Sequence, residues 1–279
     1  MLLVFVILII FVLMLASRRR RRGFTAFLPP IDDTFVYNYN TDWVKKYDME
    51  TYVIALPERL EYIKQTLADL GIKPHIYNAF LKSRIPEERG KLVDAGYITE
   101  DSALKPGEIA CHVSHIQVLR DFLANGKEYA LIFEDDMMSP NNQEDLEDIF
   151  ARVFAELEEL RTKWEYLNMG RCWADCTKER AFGKLIYKTP NALCRHSYIV
   201  SRSGAKKLIE GTLPMHNEAS DIMVAKMIDS NNLNGFSTKP ALFSQNRTKF
   251  GTNLGNWGPL WECKPPLFKE IGTILKGRL

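Results

Sequence analysis

The hydrophobic pattern changes character several times along this chain, and each change predicts an element. Met1 to Ala16 is apolar without a break, and Ser17 and five arginines, Arg18 to Arg22, follow it. A helix over that run covers about 24 Å, short of a ~30 Å hydrocarbon core, and Ser17 with snorkelling arginines adds reach. A cleaved signal peptide carries its positive charge before the apolar run, whereas here the charge comes after it. The pattern therefore predicts an uncleaved transmembrane anchor over 1–17. Positive flanks stay cytoplasmic, which predicts that the remainder of the chain lies on the cytoplasmic side. Residues 18–48 read as a basic flank and an irregular stem, with Pro29-Pro30, Asp32-Asp33 and Asn38-Tyr39-Asn40.

A globular pattern is predicted over 49–265. Thr51 to Leu56 is a β-branched apolar run that predicts a buried strand. Leu60, Ile63, Leu67 and Leu70 then recur at helical spacing, and Gly71 stops the helix. His75 to Phe80 predicts a second strand, and this strand–helix–strand order points to a parallel α/β sheet. Residues 81–105 are mixed and charged and read as a surface excursion. Ile109, Val113, Ile116, Leu119 and Leu123 form one stripe of a helix over Gly107 to Asn125, and Tyr129 to Phe133 is a further buried strand. An acidic amphipathic helix follows from Leu146 to Leu160. Strands are predicted at Tyr166 to Met169 and His196 to Val200, and helices at Gly204 to Glu210 and Asp221 to Ile228. Ser220 or Asp221 is placed to cap the last of these. Residues 266–279 form a basic amphipathic tail that reads as a helix packed on the domain or lying on a membrane surface.

Composition narrows the function classes. The chain has 279 residues, 46% of them hydrophobic, which is enough for one sizeable α/β domain. Its net charge of +2, with the basic excess concentrated at Arg18 to Arg22, excludes bulk nucleic-acid binding. Five cysteines in a chain this long imply no disulfide framework. Cys172 and Cys176 lack the second ligand pair of a zinc site, so all five read as packing residues or free thiols. Asn246-Arg247-Thr248 is a glycosylation triplet that says little about compartment.

Chemistry concentrates in two places. The run Ala130-Leu131-Ile132-Phe133 ends abruptly in Glu134-Asp135-Asp136. Adjacent carboxylates repel one another in a shielded place unless a cation compensates, and hard divalent ions such as magnesium and manganese prefer carboxylate and phosphate oxygens. Continued strand geometry puts Glu134 and Asp136 on one side and Asp135 on the other. A solvated acidic turn is the bland alternative. The second place is the helix bearing Glu108, Cys111, His112, Ser114 and His115. Two histidines three apart do not make a metal site, because the common zinc helix spaces its ligands by four. Ser114 and His115 read as donors to a nucleotide or its phosphates, or as satisfied buried groups.

Together these segments resemble glycosyltransferase family 25, which includes lipooligosaccharide and collagen galactosyltransferases. The resemblance rests on Gly107-Glu108-Ile109-Ala110-Cys111-His112-Val113-Ser114-His115 followed by Leu131 to Asp136. It extends to Tyr52 to Leu56 with Arg59, to Tyr198 to Ser201 with Gly204 to Leu208, and to Asp221. It implies a GT-A-like, Rossmann-type nucleotide-sugar fold and inverting transfer of a sugar, often galactose, from a UDP-sugar. The partners it implies are a nucleotide-sugar donor and a glycan or glycoconjugate acceptor. It gives the metal role, with manganese expected, to Asp136 and Glu134, and donor contacts to Asp135, Arg59, Ser114 and His115. Asp221 is the expected catalytic base, with Glu218 in reserve. Ala79 is followed here by Phe80-Leu81-Lys82, where the family usually has an acidic residue and glycine, so the sugar is not fixed. A catalytically inactive, membrane-tethered glycan-binding protein and a nucleotide-sugar hydrolase are the competing readings.

Overall fold

The structure, a computed structural model, describes residues 43–251 apart from 161, 173 and 175–177. The predicted anchor, most of the stem and the basic tail lie outside these residues. Among the described residues, no helix is long and apolar enough to cross a membrane.

An eight-stranded sheet organises the fold. Its strands are β1 (Met49–Ala55), β2 (Pro74–Asn78), β3 (Tyr129–Glu134), β5 (Tyr166–Asn168), β6 (Arg180–Ala181), β7 (Ile186–Lys188), β8 (Ser197–Ser201) and β9 (Gly235–Thr238), in the order β2-β1-β3-β8-β5-β9-β7-β6. A separate two-stranded ribbon pairs β4 (Met137–Met138) with β10 (Ser244–Gln245). β1 runs parallel to both β2 and β3, as the strand–helix–strand order predicts. β8 then enters antiparallel to both β3 and β5. The sheet is therefore mixed, which corrects the expectation of a parallel one.

Strand periodicity splits the core into two layers. Val53, Ala55, Leu131, Phe133, Leu167 and Ile199 face one side of the sheet, toward α1 (Leu60–Asp69) and α4 (Gln143–Glu158). Tyr52, Ile54, Ala130, Ile132, Tyr166, Tyr198 and Val200 face the other, toward α3 (Pro106–Asn125), α5 (Arg202–Thr212) and α6 (Ser220–Asp229). Side chains alternate at every step of a strand, so central strands covered on both faces read as continuous apolar runs. Helix stops follow local chemistry. Gly71 takes a φ of 64° after α1 and Gly126 one of 91° at the end of α3, a left-handed region that suits glycine. Ser201 caps α5 by accepting from Gly204 N.

Three local expectations change. The charged excursion contains a helix, α2 (Ile85–Asp94), which buries Ile85 and Leu92. The end of the expected stem is part of the folded body: Trp43–Tyr47 is a 3-10 helix whose Trp43 packs in the core and donates its indole N–H to Leu70 O at 2.8 Å. Cys172 and Cys194 form a disulfide, where the sequence suggested packing or free thiols. They are 22 positions apart with no short motif to mark the pair, so only the loop path brings them together.

Candidate active site

β1 and β3 are parallel neighbours, with Ile54 opposite Glu134, so their carboxyl ends open on the same edge. A cavity of about 410 Å³ lies there, and its lining includes Arg59, Phe80, Cys111, His115, all three acids and Gln245. The three carboxylates diverge because the chain turns as β3 ends. Asp135 turns toward β1, where it accepts from Leu56 N at 2.6 Å and from Arg59 Nη1 at 2.9 Å. Asp136 lies toward the ribbon and accepts from Gln245 Nε2 at 3.2 Å, with Arg59 Nη1 3.7 Å away. Glu134 turns toward α3 and accepts from His115 Nε2 at 3.0 Å. The expected division holds for Asp135 against Glu134. Asp136, however, belongs to the turn rather than to the strand, and takes partners that strand alternation does not supply.

The electrostatics follow from burial. Burial is the main cause that pushes Glu134 up to about 7; the charge of Asp221 adds to it and Arg195 opposes it. Burial and repulsion from Glu134 and Asp135 push Asp136 up to about 7. Asp135 is raised chiefly by burial, against the pull of Leu56 N–H and Arg59. His115 is held well below its ordinary value by burial and by Arg195, and so is neutral. Its tautomer can then be assigned. Nε2 carries the proton given to Glu134, and Nδ1 accepts from Tyr198 Oη at 3.0 Å. Arg195, itself buried, donates to Tyr198 Oη at 3.1 Å and to Ser220 Oγ.

Ser114 lines the cavity, but its hydroxyl is engaged: it donates to Ala110 O and accepts from Phe80 N, both at 2.8 Å. It thereby fixes the loop after β2. Arg59 lines the cavity and directs Nη1 at Asp135 and Asp136. Asp221 is the second residue of α6, whose N-cap is Ala219, so neither Ser220 nor Asp221 caps the helix. The Asp221 carboxylate accepts from Cys194 N at 3.1 Å and from Ile222 N at 2.9 Å. Asp221 is outside the cavity lining, yet near enough for its charge to act on Glu134 and Cys111. Glu218, just ahead of α6, pairs with Lys226 of that helix and is also outside the lining. Gln245, Arg247 and Arg195 escaped the sequence reading. Gln245 arrives from the ribbon and Arg247 from just beyond it, both more than a hundred residues away from the triplet, and no local pattern marks them. Asn246 uses its side chain to cap a short helix, α7 (Arg247–Phe250), and donates to Tyr62 Oη at 3.2 Å, so the glycosylation triplet is occupied by structural bonds.

A family model described as "Glycosyltransferase family 25 (LPS biosynthesis protein)" matches residues 49–224, which include every site residue predicted from sequence. The chain belongs to glycosyltransferase family 25. Family 25 relatives include the human protein named "Inactive glycosyltransferase 25 family member 3", 26% identical over 171 residues. That alignment covers 57% of this chain and 28% of the human protein. The mouse protein of the same name is 26% identical over 179 residues, covering 60% of this chain and 29% of its own length. The match thus spans less than a third of these family 25 relatives. A solved structure described as the inositol-1-phosphate CTP transferase from T. maritima covers 81% of this chain and 84% of its own, with a TM-score of 0.35 and 12% identity.

The family implies a nucleotide-sugar site, and the donor set fits a hard divalent cation. Glu134 and Asp136 present carboxylate oxygens to one cavity, and both are raised there chiefly by burial, which the nearby positive charges do not offset. This has a pH consequence with a definite sign. A carboxylate raised on folding binds its proton more tightly in the native chain than in the unfolded one. Native stability from this pair is therefore greatest at acid pH and falls as pH rises from ~4 through ~7. Buried His112, His115 and His196, all lowered by burial, run the other way and cost stability as pH falls below about 6.5. The diagnostic quantity is therefore the increment due to a cation. Manganese is expected to raise the melting temperature more near pH ~8, where the acids are bare, than near pH ~5, where protons compete. Equal increments at the two pH values would remove the triplet as the cation's place.

Proposed function

We propose that this chain is a metal-dependent inverting glycosyltransferase that moves a sugar, galactose foremost, from a UDP-sugar to a hydroxyl of a glycan or glycoconjugate. The carrying observation is the meeting of three acids and Arg59 in one open cavity at the carboxyl ends of β1 and β3. In α/β sheets ligands bind at such edges, which supports a GT-A-like use of the fold. Glu134 and Asp136 would hold the cation, manganese foremost, whose charge offsets that of the departing diphosphate. The chain's own groups set the geometry. Arg59 and Leu56 N–H fix Asp135, His115 orients Glu134, and Ser114 holds the loop at Phe80 against the cavity. The acceptor hydroxyl must give its proton to a carboxylate, a role we assign to Asp221.

A second reading is a glycan-binding protein without turnover. The family 25 relatives named inactive favour it, since they align with this chain over more than half its length. The test is to incubate the full chain, purified in detergent, with a panel of nucleotide sugars, manganese and glycan acceptors. Transfer that a chelator abolishes is the expected result. Sugar released only to water would make the protein a hydrolase, and binding without release would establish the second reading.

A further inference from the structure

The sequence offers His112 and His115 as a histidine pair, but the fold separates them. His112 is wholly buried and outside the cavity lining. The metal-ligating side chain of α3 that lines the cavity beside His115 is Cys111, four positions earlier and so one turn away on the same face. Both point at the end of β3. Cys111 Sγ lies 3.8 Å from Glu134 Oε1, and His115 Nε2 lies 3.0 Å from the same oxygen. The sulfur, nitrogen and oxygen donors all stand within 4.8 Å of one another.

We propose that Cys111, His115 and Glu134 form a second cation site, selective for zinc-class ions, that shares Glu134 with the hard-cation position beside Asp136. Thiolate and imidazole select borderline-soft ions such as zinc and cobalt, whereas manganese and magnesium prefer oxygen. A tetrahedral ion with ligands at ~2.0–2.3 Å keeps them roughly 3.3–3.8 Å apart, which small side-chain shifts reach from the 3.8 Å and 3.0 Å that separate Cys111 and His115 from Glu134. Three protein ligands with the remaining position facing an open cavity is the pattern of an accessible zinc site. Cys111 is the free cysteine among the described residues. The outer partner an imidazole ligand needs is also present. Tyr198 Oη lies 3.0 Å from His115 Nδ1 and is itself held by Arg195. On binding, the Cys111 thiol proton goes to solvent. The imidazole stays neutral by carrying its proton on Nδ1, facing Tyr198, which frees Nε2 for the ion.

Sharing Glu134 makes the two positions antagonistic, so zinc would inhibit a manganese-supported transfer. That consequence rests on the proposed function; the binding does not. The test therefore uses the full chain with no nucleotide sugar and cobalt as the probe. A thiolate-to-cobalt charge-transfer band in the near ultraviolet is expected, displaced by zinc, lost in C111S and kept in C172S/C194S. C111S should also weaken zinc binding by roughly ten- to a hundredfold or more. A measurement on the unmutated chain covers the case in which C111S fails to fold: saturating zinc should slow alkylation of Cys111 by iodoacetamide at least about tenfold, because a metal-held thiolate is a poor nucleophile. Cobalt bound without the thiolate band, or alkylation unchanged by zinc, overturns the site. A band that survives C111S and disappears in C172S/C194S belongs to the other cysteine pair and overturns it equally. The expected band in a chain that transfers no sugar from any donor upholds the site while the transferase reading fails.

Discussion

Asp136→Asn is expected to lower sugar transfer at least ~100-fold while leaving the fold intact or slightly more stable. The activity side follows from charge. Asp136 lines the cavity and is the acid whose partners are weakest, a Gln245 amide at 3.2 Å and Arg59 at 3.7 Å. That leaves its charge free to meet a cation and, through it, the diphosphate. Losing one such preorganised electrostatic group costs about 100- to 1,000-fold. The stability side follows from the same observation. Burial and the charges of Glu134 and Asp135 already push Asp136 toward its neutral form. Asparagine keeps the size and an oxygen for Gln245 and removes the repulsion. A melting temperature at or above wild type together with a collapsed rate would separate a functional acid from a structural one. A folded variant that transfers at close to the wild-type rate sinks the assignment. Asp135→Asn provides a contrast, because Asp135 accepts from Leu56 N and Arg59 and holds the β1 and β3 ends together. Its loss should reduce stability as well as rate.

Asp221→Asn separates a base from a scaffold, with an expected loss of roughly 100- to 10,000-fold in transfer if Asp221 takes the acceptor's proton. The structure removes the helix-cap explanation, since Ala219 is the N-cap. It supplies another: Asp221 accepts from Cys194 N and thereby ties α6 to the loop carrying the Cys172–Cys194 disulfide. Asparagine retains one acceptor oxygen, so a purely structural role predicts a change on the order of 1 kcal/mol in stability and a mild change in rate. Donor affinity should be kept, because Asp221 stands outside the cavity lining. Rate and melting temperature measured on the same preparation decide the matter. A near wild-type rate would leave Asp221 as a tie between α6 and the disulfide loop, and the base would then be sought among the carboxylates that do line the cavity.

Sequence alone determined the elements whose signal is local. Apolar runs placed β1, β3 and β8 to within about two residues, and helical spacing placed α1, α3 and α5. The acidic triplet was legible as the end of a buried strand because three consecutive carboxylates break off the apolar run Ala130 to Phe133. The joint spacing of the Ser-His helix and the triplet was enough to suggest the family before any geometry was known. Short or mixed signals failed. The α2 helix was hidden by its charged surface, and β4, β6, β7, β9 and β10 are two to four residues long, too short for a period to show.

What only the tertiary structure decided is which groups meet. The antiparallel entry of β8 between β3 and β5 depends on long connections that leave no local mark. The same holds for Gln245 reaching Asp136 across 109 positions and for Arg59 closing on Asp135 across 76. On α3 the sequence shows two histidines and a cysteine at neighbouring positions. Rotation of the helix against the sheet buries His112 and turns Cys111 and His115 toward Glu134. Local pattern fixes which residues lie on one face, because helix and strand have set periods. Which face meets the cavity is settled by packing among distant segments, and that is where the chemistry of this pocket is decided.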